Sequence, residues 1–519
     1  MKCTARLAGL AMILLASIPQ AGASDAAVPP VPGTTADASG GPEAKPVPEA
    51  KVWVTRHKAR IGGAMVAYTA TAGTILMKNE KGEPIALFGF TAYTRDGADP
   101  ASRPIVFAFN GGPGSASAWL HMGILGPRRT ELADLESNTR GPFRTVDNEY
   151  SILDRADLVM LDPVGTGFSR PVGKAEGKDF WGVDQDIDSV TNFIVRYLGD
   201  YGRWASPKFV LGESYGGMRA AGVAYTLLSE HNVSLNGVIL VSPYLDLASG
   251  WAGLGDVGYV NFLPTYAATA WYHGALADRP AELQPFLREA EAFAENEYAR
   301  VLFKGSRATA AERQTVLDGL ARYTGVSAAY WDKANLRLDE PRFLQELLRG
   351  KGEVVGRVDT RYVGGDISRI AEVMKYDPYG SAVGPAVVAT FNDYYRRELD
   401  VESDREYVLS GDLEKDWDNR HEQPDLGGFK VPYPNTIVDL SQTITVNPKM
   451  KVLVQQGYFD LACPYRTVEY AIDHLDVDPK LRGNVAIEYY DAGHMMYVHP
   501  ASMQKFKRTL AAFVDANSR

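Results

Sequence analysis

The sequence Val210-Leu211-Gly212-Glu213-Ser214-Tyr215-Gly216-Gly217 places a Gly-x-Ser-x-Gly pattern at the end of an apolar run. Residues 208–211 predict a strand, and the Ala- and Leu-rich stretch 218–229 predicts the helix that follows. A strand that turns at once into a helix needs glycine beside the turning residue, and such a turn exposes the serine hydroxyl above the sheet. The pattern predicts Ser214 as a nucleophile, and the alternative is an ordinary glycine-rich turn with a capping serine.

Short apolar runs elsewhere in the chain indicate further strands. Each is followed within a residue or two by Gly, Pro, Asp or Ser, and helical stretches such as 184–197 separate several of them. Strands that are apolar on both faces and alternate with helices predict a parallel sheet covered on both sides. The runs are Ile105–Phe109, Leu158–Leu161, Phe209–Leu211, Val238–Val241, Val452–Val454 and Val485–Tyr490.

Two regions depart from this alternation. Between Val52 and about Thr94, the runs 65–71, 74–77 and 85–91 predict an antiparallel meander of about three strands. Residues 250–435 have few strand-like runs and carry helical segments, such as 280–298 and 341–350. We therefore predict one α/β domain, formed by residues 51–249 and 436–519 and ending in a helix near 502–516. A mostly helical cap insertion, residues 250–435, interrupts it.

The N-terminal residues read as a targeting segment. Lys2 and Arg6 precede the apolar stretch 7–18, and Ala21-Gly22-Ala23 forms a small-residue cleavage site. We predict a signal peptide over residues 1–23, with an uncleaved anchoring segment as the alternative. A disordered leader rich in Pro and Ala follows over residues 24–50. The mature chain is then expected to be exported, with no stable membrane insertion.

Charge and cysteine content narrow the class of protein. Loss of Lys2 and Arg6 changes the formal net charge from −10 to −12, which argues against nucleic acid as a partner. Cleavage also removes Cys3, so that Cys463 has no intrachain disulfide partner. An exported protein without disulfides fits a bacterial periplasm or exterior.

A nucleophilic serine needs a base and a carboxylate that orients the base. Asp460 follows the run 452–456, and His494 follows the run 485–490, so both lie where the carboxyl ends of parallel strands meet. When a nucleophilic serine lies in a strand-to-helix turn, the acid and then the base come after it along the chain. Ser214, Asp460 and His494 have this order. Asp491 stays an alternative acid and His499 an alternative base, whereas His474 is expected to be a surface or core residue.

A second glycine cluster, residues 110–114, directly follows the strand 105–109. Acyl transfer needs two N–H donors aimed at the developing oxyanion. One is expected from Tyr215, the residue after the nucleophile, and the other from this loop. A phosphate-binding loop and a plain tight turn are the alternatives, but no Lys-Ser/Thr pair follows and Pro113 removes a donor. No metal or other cofactor is expected.

Together these motifs resemble the serine carboxypeptidase family. The resemblance extends from about residue 50 to the end and is weakest in the insertion. It implies an α/β-hydrolase fold with a helical cap and a catalytic triad of Ser214, Asp460 and His494. The motifs that carry it are Asn110-Gly111-Gly112-Pro113-Gly114-Ser115, Leu161-Asp162-Pro163-Val164-Gly165-Thr166-Gly167-Phe168-Ser169, Gly212–Gly217 and Gly493-His494-Met495.

The resemblance also implies roles for residues around the triad. Gly112 and Tyr215 would supply the oxyanion donors, and Asn110 and Glu213 would bind the terminal carboxylate of the substrate. Two carboxyl groups in contact favour sharing one proton, so peptide hydrolysis is expected to prefer acid pH.

Two departures from the secreted eukaryotic members point to a bacterial branch of the family. Ser115 stands where those members commonly carry cysteine, and their disulfides are absent. The remaining Cys463 is expected to be buried near the site in a packing role.

The function expected from the sequence is that of an exported serine carboxypeptidase acting on the C-termini of peptides or proteins. An esterase or acyltransferase with the same triad is the main alternative. A catalytically silent binding module is a third interpretation, which the complete set of site residues disfavours. The sequence does not predict an oligomeric state.

Overall fold

The computed structural model describes residues 47–137 and 139–518. The predicted signal peptide, residues 1–23, and most of the predicted leader lie outside the described residues. Residues 47–50 have no regular secondary structure. No helix in the described part of the chain combines the length and apolar character needed to cross a bilayer.

The strands of the described residues, in chain order, are β1 (Val52–Ile61), β2 (Ala64–Lys78), β3 (Pro84–Arg95), β4 (Ile105–Phe109), β5 (Arg128–Thr130), β6 (Thr145–Asp147), β7 (Asp157–Asp162), β8 (Arg170–Pro171), β9 (Lys208–Glu213), β10 (Gly237–Val241), β11 (Glu353–Val355), β12 (Val363–Gly365), β13 (His421–Glu422), β14 (Lys430–Val431), β15 (Lys451–Gly457) and β16 (Val485–Tyr490).

A central sheet organises the molecule, with strand order β1-β2-β3-β7-β4-β9-β10-β15-β16. The strands from β7 to β16 along this order are parallel, whereas β1, β2, β3 and β7 pair antiparallel. The mostly parallel sheet predicted from the apolar runs is therefore confirmed. The parallel strands β4, β7, β9 and β10 are buried on both faces, which is why their sequences are largely apolar.

The N-terminal meander differs from the prediction in one respect. The two runs 65–71 and 74–77 belong to a single strand, β2, which is continuous through Gly73. A Cβ at Gly73 would lie 2.2 Å from the main-chain oxygen of Lys51, so this glycine permits a close approach of the preceding strand. It does not mark a turn, and the first strand of the meander is β1.

The α-helices are α1 (Ala118–Leu120), α2 (Val183–Asp200), α3 (Tyr215–Ser229), α4 (Leu247–Gly250), α5 (Asp256–Tyr272), α6 (Leu283–Phe293), α7 (Ala299–Lys304), α8 (Ala310–Thr324), α9 (Ala328–Lys333), α10 (Glu340–Glu346), α11 (Pro378–Arg397), α12 (Ile437–Val446), α13 (Tyr465–Asp473) and α14 (Pro500–Asn517).

Helices cover both faces of the sheet. One buried apolar cluster joins the sheet to α2, α3, α12 and α13, and a second joins it to α11 and α14. A sheet whose strands are apolar on both faces needs this double cover to be removed from water. Although α11 belongs to the predicted insertion, its buried face packs in the cluster on the sheet.

The rest of the insertion has an apolar cluster of its own. Helices α5 to α10 pack together in it, and Phe459 and Leu461 from the sheet domain belong to the same cluster. These two residues flank Asp460, so the predicted acid lies where the cap meets the sheet. The pairs β11–β12 and β13–β14 add strands to a region that the sequence predicted as mostly helical. The predicted boundaries at 250 and 435 stay a prediction.

Candidate active site

Ser214 lies in a sharp turn between β9 and α3. Its backbone has φ 61° and ψ −128°, a strained conformation for a residue with a side chain. The turn is held by a hydrogen bond from Ser214 N to Val241 O at 3.0 Å. A Cβ at Gly212 would lie 1.9 Å from the main-chain oxygen of Gly216, so the strand and the helix can approach this closely only with glycine there.

Asp460 and His494 follow the neighbouring parallel strands β15 and β16 and are in contact. His494 Nδ1 lies 2.8 Å from Asp460 Oδ2. Asp460 Oδ1 accepts the backbone N–H groups of Ala462 and Cys463, each at 2.8 Å. Asp460 Oδ2 also accepts a long hydrogen bond from Gln456 Nε2, at 3.5 Å. Because both side chains are buried, these contacts fix the carboxylate against the imidazole.

The two alternative candidates lie elsewhere. The Asp491 side chain is exposed, and its main-chain oxygen accepts a hydrogen bond from Arg361. His499 pairs with Asp134, its Nδ1 lying 2.5 Å from the carboxylate oxygen. Among the candidates, the structure therefore brings only Asp460 into contact with His494.

The electrostatics around His494 favour its protonated form. Burial opposes a charged imidazole, but the charge and hydrogen bond of Asp460 outweigh it and hold the pKa of His494 well above its usual value. Burial raises the pKa of the nearby Cys463 thiol, which is the neutral, packed state expected for that residue. An imidazole with a stabilised cation suits a group that must take up a proton during a reaction.

The turn that follows β10 forms hydrogen bonds to both the serine and the histidine. The backbone N–H of Tyr244 donates to Ser214 O at 2.9 Å, and Ser242 Oγ donates to His494 O at 2.8 Å. Within the described residues, no hydrogen bond joins Ser214 Oγ to His494. Catalytic hydrogen bonds are often long in proteins without substrate, so the arrangement is compatible with a nucleophile and its base.

The glycine loop after β4 packs directly on the serine turn. A Cβ at Gly111 would lie 2.5 Å from Tyr215 N, so only glycine lets the two backbones meet. Tyr215 is the first residue of α3, and its N–H is one of those that lack a partner within the helix. Gly112, Ser214 and Tyr215 line the same cavity.

Arg219 is a structural support that the sequence analysis did not identify. Its Nη1 donates to Asn110 O at 2.7 Å, and its Nε donates to Asp186 Oδ2 at 2.6 Å. The guanidinium lies 5.2 Å from the ring centroids of both Phe109 and Tyr215. It thus ties the glycine loop to the serine helix. The sequence signal that could have identified Arg219 as a buried support is its position within an otherwise apolar helix.

Asn110 and Glu213, the predicted carboxylate binders, hydrogen-bond to each other. Asn110 Nδ2 donates to Glu213 Oε1 at 2.7 Å, and Tyr497, another residue not identified from sequence, donates to Glu213 Oε2 at 2.5 Å. Asn110 is 2% exposed and Glu213 is 1% exposed. Burial is the main cause that raises the pKa of Glu213 to about 7, and the hydrogen bonds and the charge of His494 oppose the shift. This carboxyl group therefore holds a proton in mildly acidic solution.

A cavity of about 330 Å³ opens beside Ser214. Its walls are largely apolar and aromatic, with a few charged side chains. Asn110 and Glu213 are not among its lining residues. The residues that line it include Gly112, Met218, Tyr244, Leu247, Trp251, Phe262, Glu340, Arg357, Glu414, Trp417 and Cys463.

The segment 357–361 of the insertion supports both loops that carry the acid and the base. Leu461 N donates to Arg357 O at 3.1 Å, and His494 N donates to Val358 O at 2.7 Å. Asp359 Oδ2 accepts the N–H of Gly493 at 3.1 Å. A Cβ at Gly493 would lie 2.5 Å from Asp359, so there is no room for a side chain at position 493. No periodicity or motif in the sequence indicated this contact.

Asp460, Cys463 and His494 also form a group whose possible metal-ligand atoms lie within 4.8 Å of one another. Both oxygens of Asp460 are already engaged, one by two N–H groups and the other by His494. The group is therefore organised by hydrogen bonds.

Comparison with known proteins places the chain in a family. The sequence profile described as serine carboxypeptidase matches residues 68–328, half of the chain. Serine carboxypeptidase-like 45 of Arabidopsis thaliana is 26% identical over 242 residues, covering 43% of this chain and 45% of that protein. Serine carboxypeptidase-like 36 of the same plant is 30% identical over 148 residues, 28% of this chain and 29% of that protein. The chain thus matches less than half of the length of these curated relatives.

A solved structure shows the same architecture. The crystal structure of Kex1(Δ)p, a prohormone-processing carboxypeptidase from Saccharomyces cerevisiae, superposes with a TM-score of 0.53 at 16% identity and covers 87% of this chain and 91% of that one. This similarity confirms the predicted α/β-hydrolase fold. These relatives come from a plant and a yeast, and the bacterial branch stays a prediction. The match over half of the chain shows that it belongs to the serine carboxypeptidase family.

Proposed function

We propose that the protein is a serine carboxypeptidase in which Ser214 is the nucleophile, His494 the general base and Asp460 the group that orients the base. The observation that carries the proposal is the contact of Asp460 and His494 at the ends of β15 and β16. The carboxyl ends of these strands lie at the same end of the sheet as the strained turn of Ser214. The family match over residues 68–328 includes Ser214 and supports its role as the nucleophile.

The chemistry follows from these positions. Ser214 Oγ attacks the carbonyl carbon of the last peptide bond while His494 takes the hydroxyl proton. The negative charge on the carbonyl oxygen is held by the N–H groups of Gly112 and Tyr215. The C–N bond then breaks, the departing amine takes the proton from His494, and an ester to Ser214 remains. Water, activated by the same imidazole, hydrolyses this ester and restores the enzyme.

Asn110 and Glu213 are proposed to hold the terminal carboxylate of the leaving residue. The raised pKa of Glu213, about 7, supports this role because a protonated carboxyl can donate a hydrogen bond to a carboxylate. Peptide hydrolysis would then weaken as the pH rises through this range. Since Glu213 is 1% exposed, contact with substrate requires the terminus to reach a nearly closed site.

The raised pKa of His494 acts in the opposite direction. The imidazole must be neutral to accept a proton, so activity requires a pH high enough to deprotonate it. The proposed acid preference therefore describes only the falling limb of a bell-shaped profile. An ester without a terminal carboxylate would show the rising limb alone.

We further propose that the chain is exported after removal of residues 1–23 and that peptide or protein C-termini are its substrates. The charged start and apolar stretch of the N-terminal residues support export. A periplasmic or secreted location in a bacterium is the proposed setting. The lone Cys463 supports it, because the mature chain would need no disulfide.

The deciding experiment compares the wild-type protein with Ser214→Ala on blocked dipeptides and on the matching esters. We expect the wild type to release the C-terminal amino acid and Ser214→Ala to lose this activity by at least about a thousandfold. A fluorophosphonate should label the wild type and not the variant. Cleavage of esters alone would favour the esterase or acyltransferase alternative. Failure of Ser214 to label would favour a silent binding module.

A further inference from the structure

The cavity beside Ser214 contains a cation that the proposed reaction does not use. Arg357 lines it, and the only ion pair of its guanidinium among the described residues is with Glu340, at 3.7 Å between Nε and Oε1. That distance is too long for a hydrogen bond. Within the described part of the chain, the guanidinium makes no hydrogen bond, and 27% of the side chain is exposed.

The backbone of Arg357 is held firmly. Its N–H donates to Asp377 Oδ2 at 3.3 Å, and its carbonyl oxygen accepts from the N–H of Leu461, next to Asp460. The side chain therefore starts from a fixed point beside the catalytic loops. A guanidinium has five N–H donors in a planar arrangement that matches a carboxylate, and Arg357 is one of the residues that line the cavity.

We propose that Arg357 binds an acidic side chain of the substrate, on the residue that becomes attached to Ser214. This inference rests on the proposed function. The leaving residue carries the terminal carboxylate, which that proposal assigns to Asn110 and Glu213. Because these two residues do not line the cavity, the cavity is left for the side chain of the preceding residue.

The other charges near the cavity determine how strongly an acidic side chain is favoured. Burial raises the pKa of Glu340, and the charge of Arg357 opposes that shift. Glu414 lies at the exposed rim, where burial also raises its pKa. Both carboxyl groups are therefore easier to protonate than usual, and they repel an acidic substrate least in acid solution. A guanidinium group, by contrast, is not deprotonated in proteins.

The remaining ionisable groups around the pair are engaged elsewhere or neutral. Asp377 accepts backbone N–H groups from residues 357, 358 and 379, and Asp339 caps α10 and pairs with Arg342. Burial raises the pKa values of Tyr244 and Cys463, which keeps both uncharged. Arg357 is thus the cation available to a carboxylate in this cavity.

The test measures kcat/KM for N-blocked dipeptides X-Leu, with Glu, Gln or Lys as X, at the pH where the wild type is most active. For the wild type we expect Glu to exceed Gln by about tenfold and Lys to be the poorest, since a charge-assisted hydrogen bond has about this effect. Arg357→Met should reduce the Glu to Gln ratio to about one, and Arg357→Lys should restore part of it. Glu340→Gln should raise the ratio, because it frees Arg357 from its present partner.

Arg337→Met is the matched control, because Arg337 pairs with Asp256 in the cap and does not line the cavity. Its Glu to Gln ratio should equal that of the wild type. Fluorophosphonate labelling and thermal melting verify that each variant is folded. An unchanged ratio in Arg357→Met would overturn the inference. So would a wild-type preference for Lys that Glu340→Gln removes, since recognition would then belong to the carboxylates.

The same substrates separate this inference from the proposed peptidase function. If no leucine is released from any dipeptide while the ethyl esters of the N-blocked residues X are cleaved, the peptidase proposal fails. The Glu to Gln ratio among the esters then decides the role of Arg357. If neither dipeptides nor esters react, both proposals are overturned.

Discussion

At the scale of single residues, the site depends on how environment changes the chemistry of ordinary side chains. Asp460 and Glu213 are both buried carboxyl groups, yet their hydrogen-bond partners differ. Asp460 accepts backbone N–H groups and faces the imidazole of His494, which suits a group that orients a base. Glu213 accepts only neutral donors and has a pKa near 7, which suits a group that carries a proton.

Glu213→Gln tests that distinction. A glutamine amide donates a hydrogen bond at every pH, so the decline of peptidase kcat/KM above about pH 7 should disappear in the variant. The sign follows from the raised pKa, because the wild-type carboxyl loses its proton as the pH rises through that value. The measurement is kcat/KM for a blocked dipeptide between pH 4.5 and 9.

An ester substrate without a terminal carboxylate serves as the control for this comparison. Its pH profile should be the same in the wild type and the variant. If the dipeptide profile keeps the same falling limb in Glu213→Gln, then Glu213 does not donate the proton and its proposed contact with the terminus is wrong.

The serine turn could be predicted at this scale because glycine and serine leave a local signature. Gly212 is required by its contact with the backbone of residue 216, only four positions along the chain. The contacts of Arg219 and Tyr497 could not be predicted. Each depends on residues about 100 or more positions away, Asn110 for Arg219 and Glu213 for Tyr497, and such pairing has no local pattern.

At the scale of secondary-structure elements, the cap insertion does more than cover the site. The segment 357–361 supplies hydrogen-bond acceptors to the loops after β15 and β16. Asp359 is central to it, since it accepts the N–H of Gly493 and forms a buried ion pair with Arg361, Nη2 to Oδ2 at 2.6 Å. The position of the His494 loop thus depends on the insertion.

Asp359→Asn is expected to lower kcat by about tenfold with little change in KM, because a weakened support misplaces the imidazole without altering the substrate cavity. The rate of fluorophosphonate labelling should fall in parallel, at all pH values between 6 and 9. Asp332→Asn, in an exposed pair with Arg313 of the cap, is the control and should leave both rates unchanged. A fall in melting temperature with normal kcat would show that Asp359 is only structural.

At the scale of the whole molecule, the parallel sheet and the end of it that carries the site could be predicted from the sequence, but the packing of the insertion could not. Apolar runs followed by Asp460 and His494 located the site at one end of the sheet, and the structure brings these two residues together there. The placement of α11 on the sheet, although it belongs to the predicted insertion, had no signal. Its apolar face is compatible with either the cap or the sheet, and only the three-dimensional packing distinguishes them.

The two ends of the parallel strands hold different groups of residues. The carboxyl ends of the parallel strands hold the candidate site, and a buried ion network lies at their amino ends. Asp157, at the start of β7, accepts Arg103 Nε at 2.6 Å and Arg203 Nη1 at 2.7 Å, with all three side chains at most 8% exposed. The network ties together the segments that enter β4, β7 and β9, so it is placed to stabilise the fold without touching substrate.

Asp157→Asn should therefore lower the free energy of unfolding by about 3 kcal/mol, because two buried guanidinium groups lose their counter-charge. Below the unfolding temperature, kcat and KM for a blocked dipeptide should match the wild type. Urea unfolding followed by tryptophan fluorescence gives the first quantity, and Asp393→Asn in an exposed helix pair with Arg397 is the control, with an expected change under about 0.5 kcal/mol. A loss of kcat in the folded Asp157→Asn protein would contradict the separation of the two ends, since it would mean that the network positions the catalytic loops through the strands.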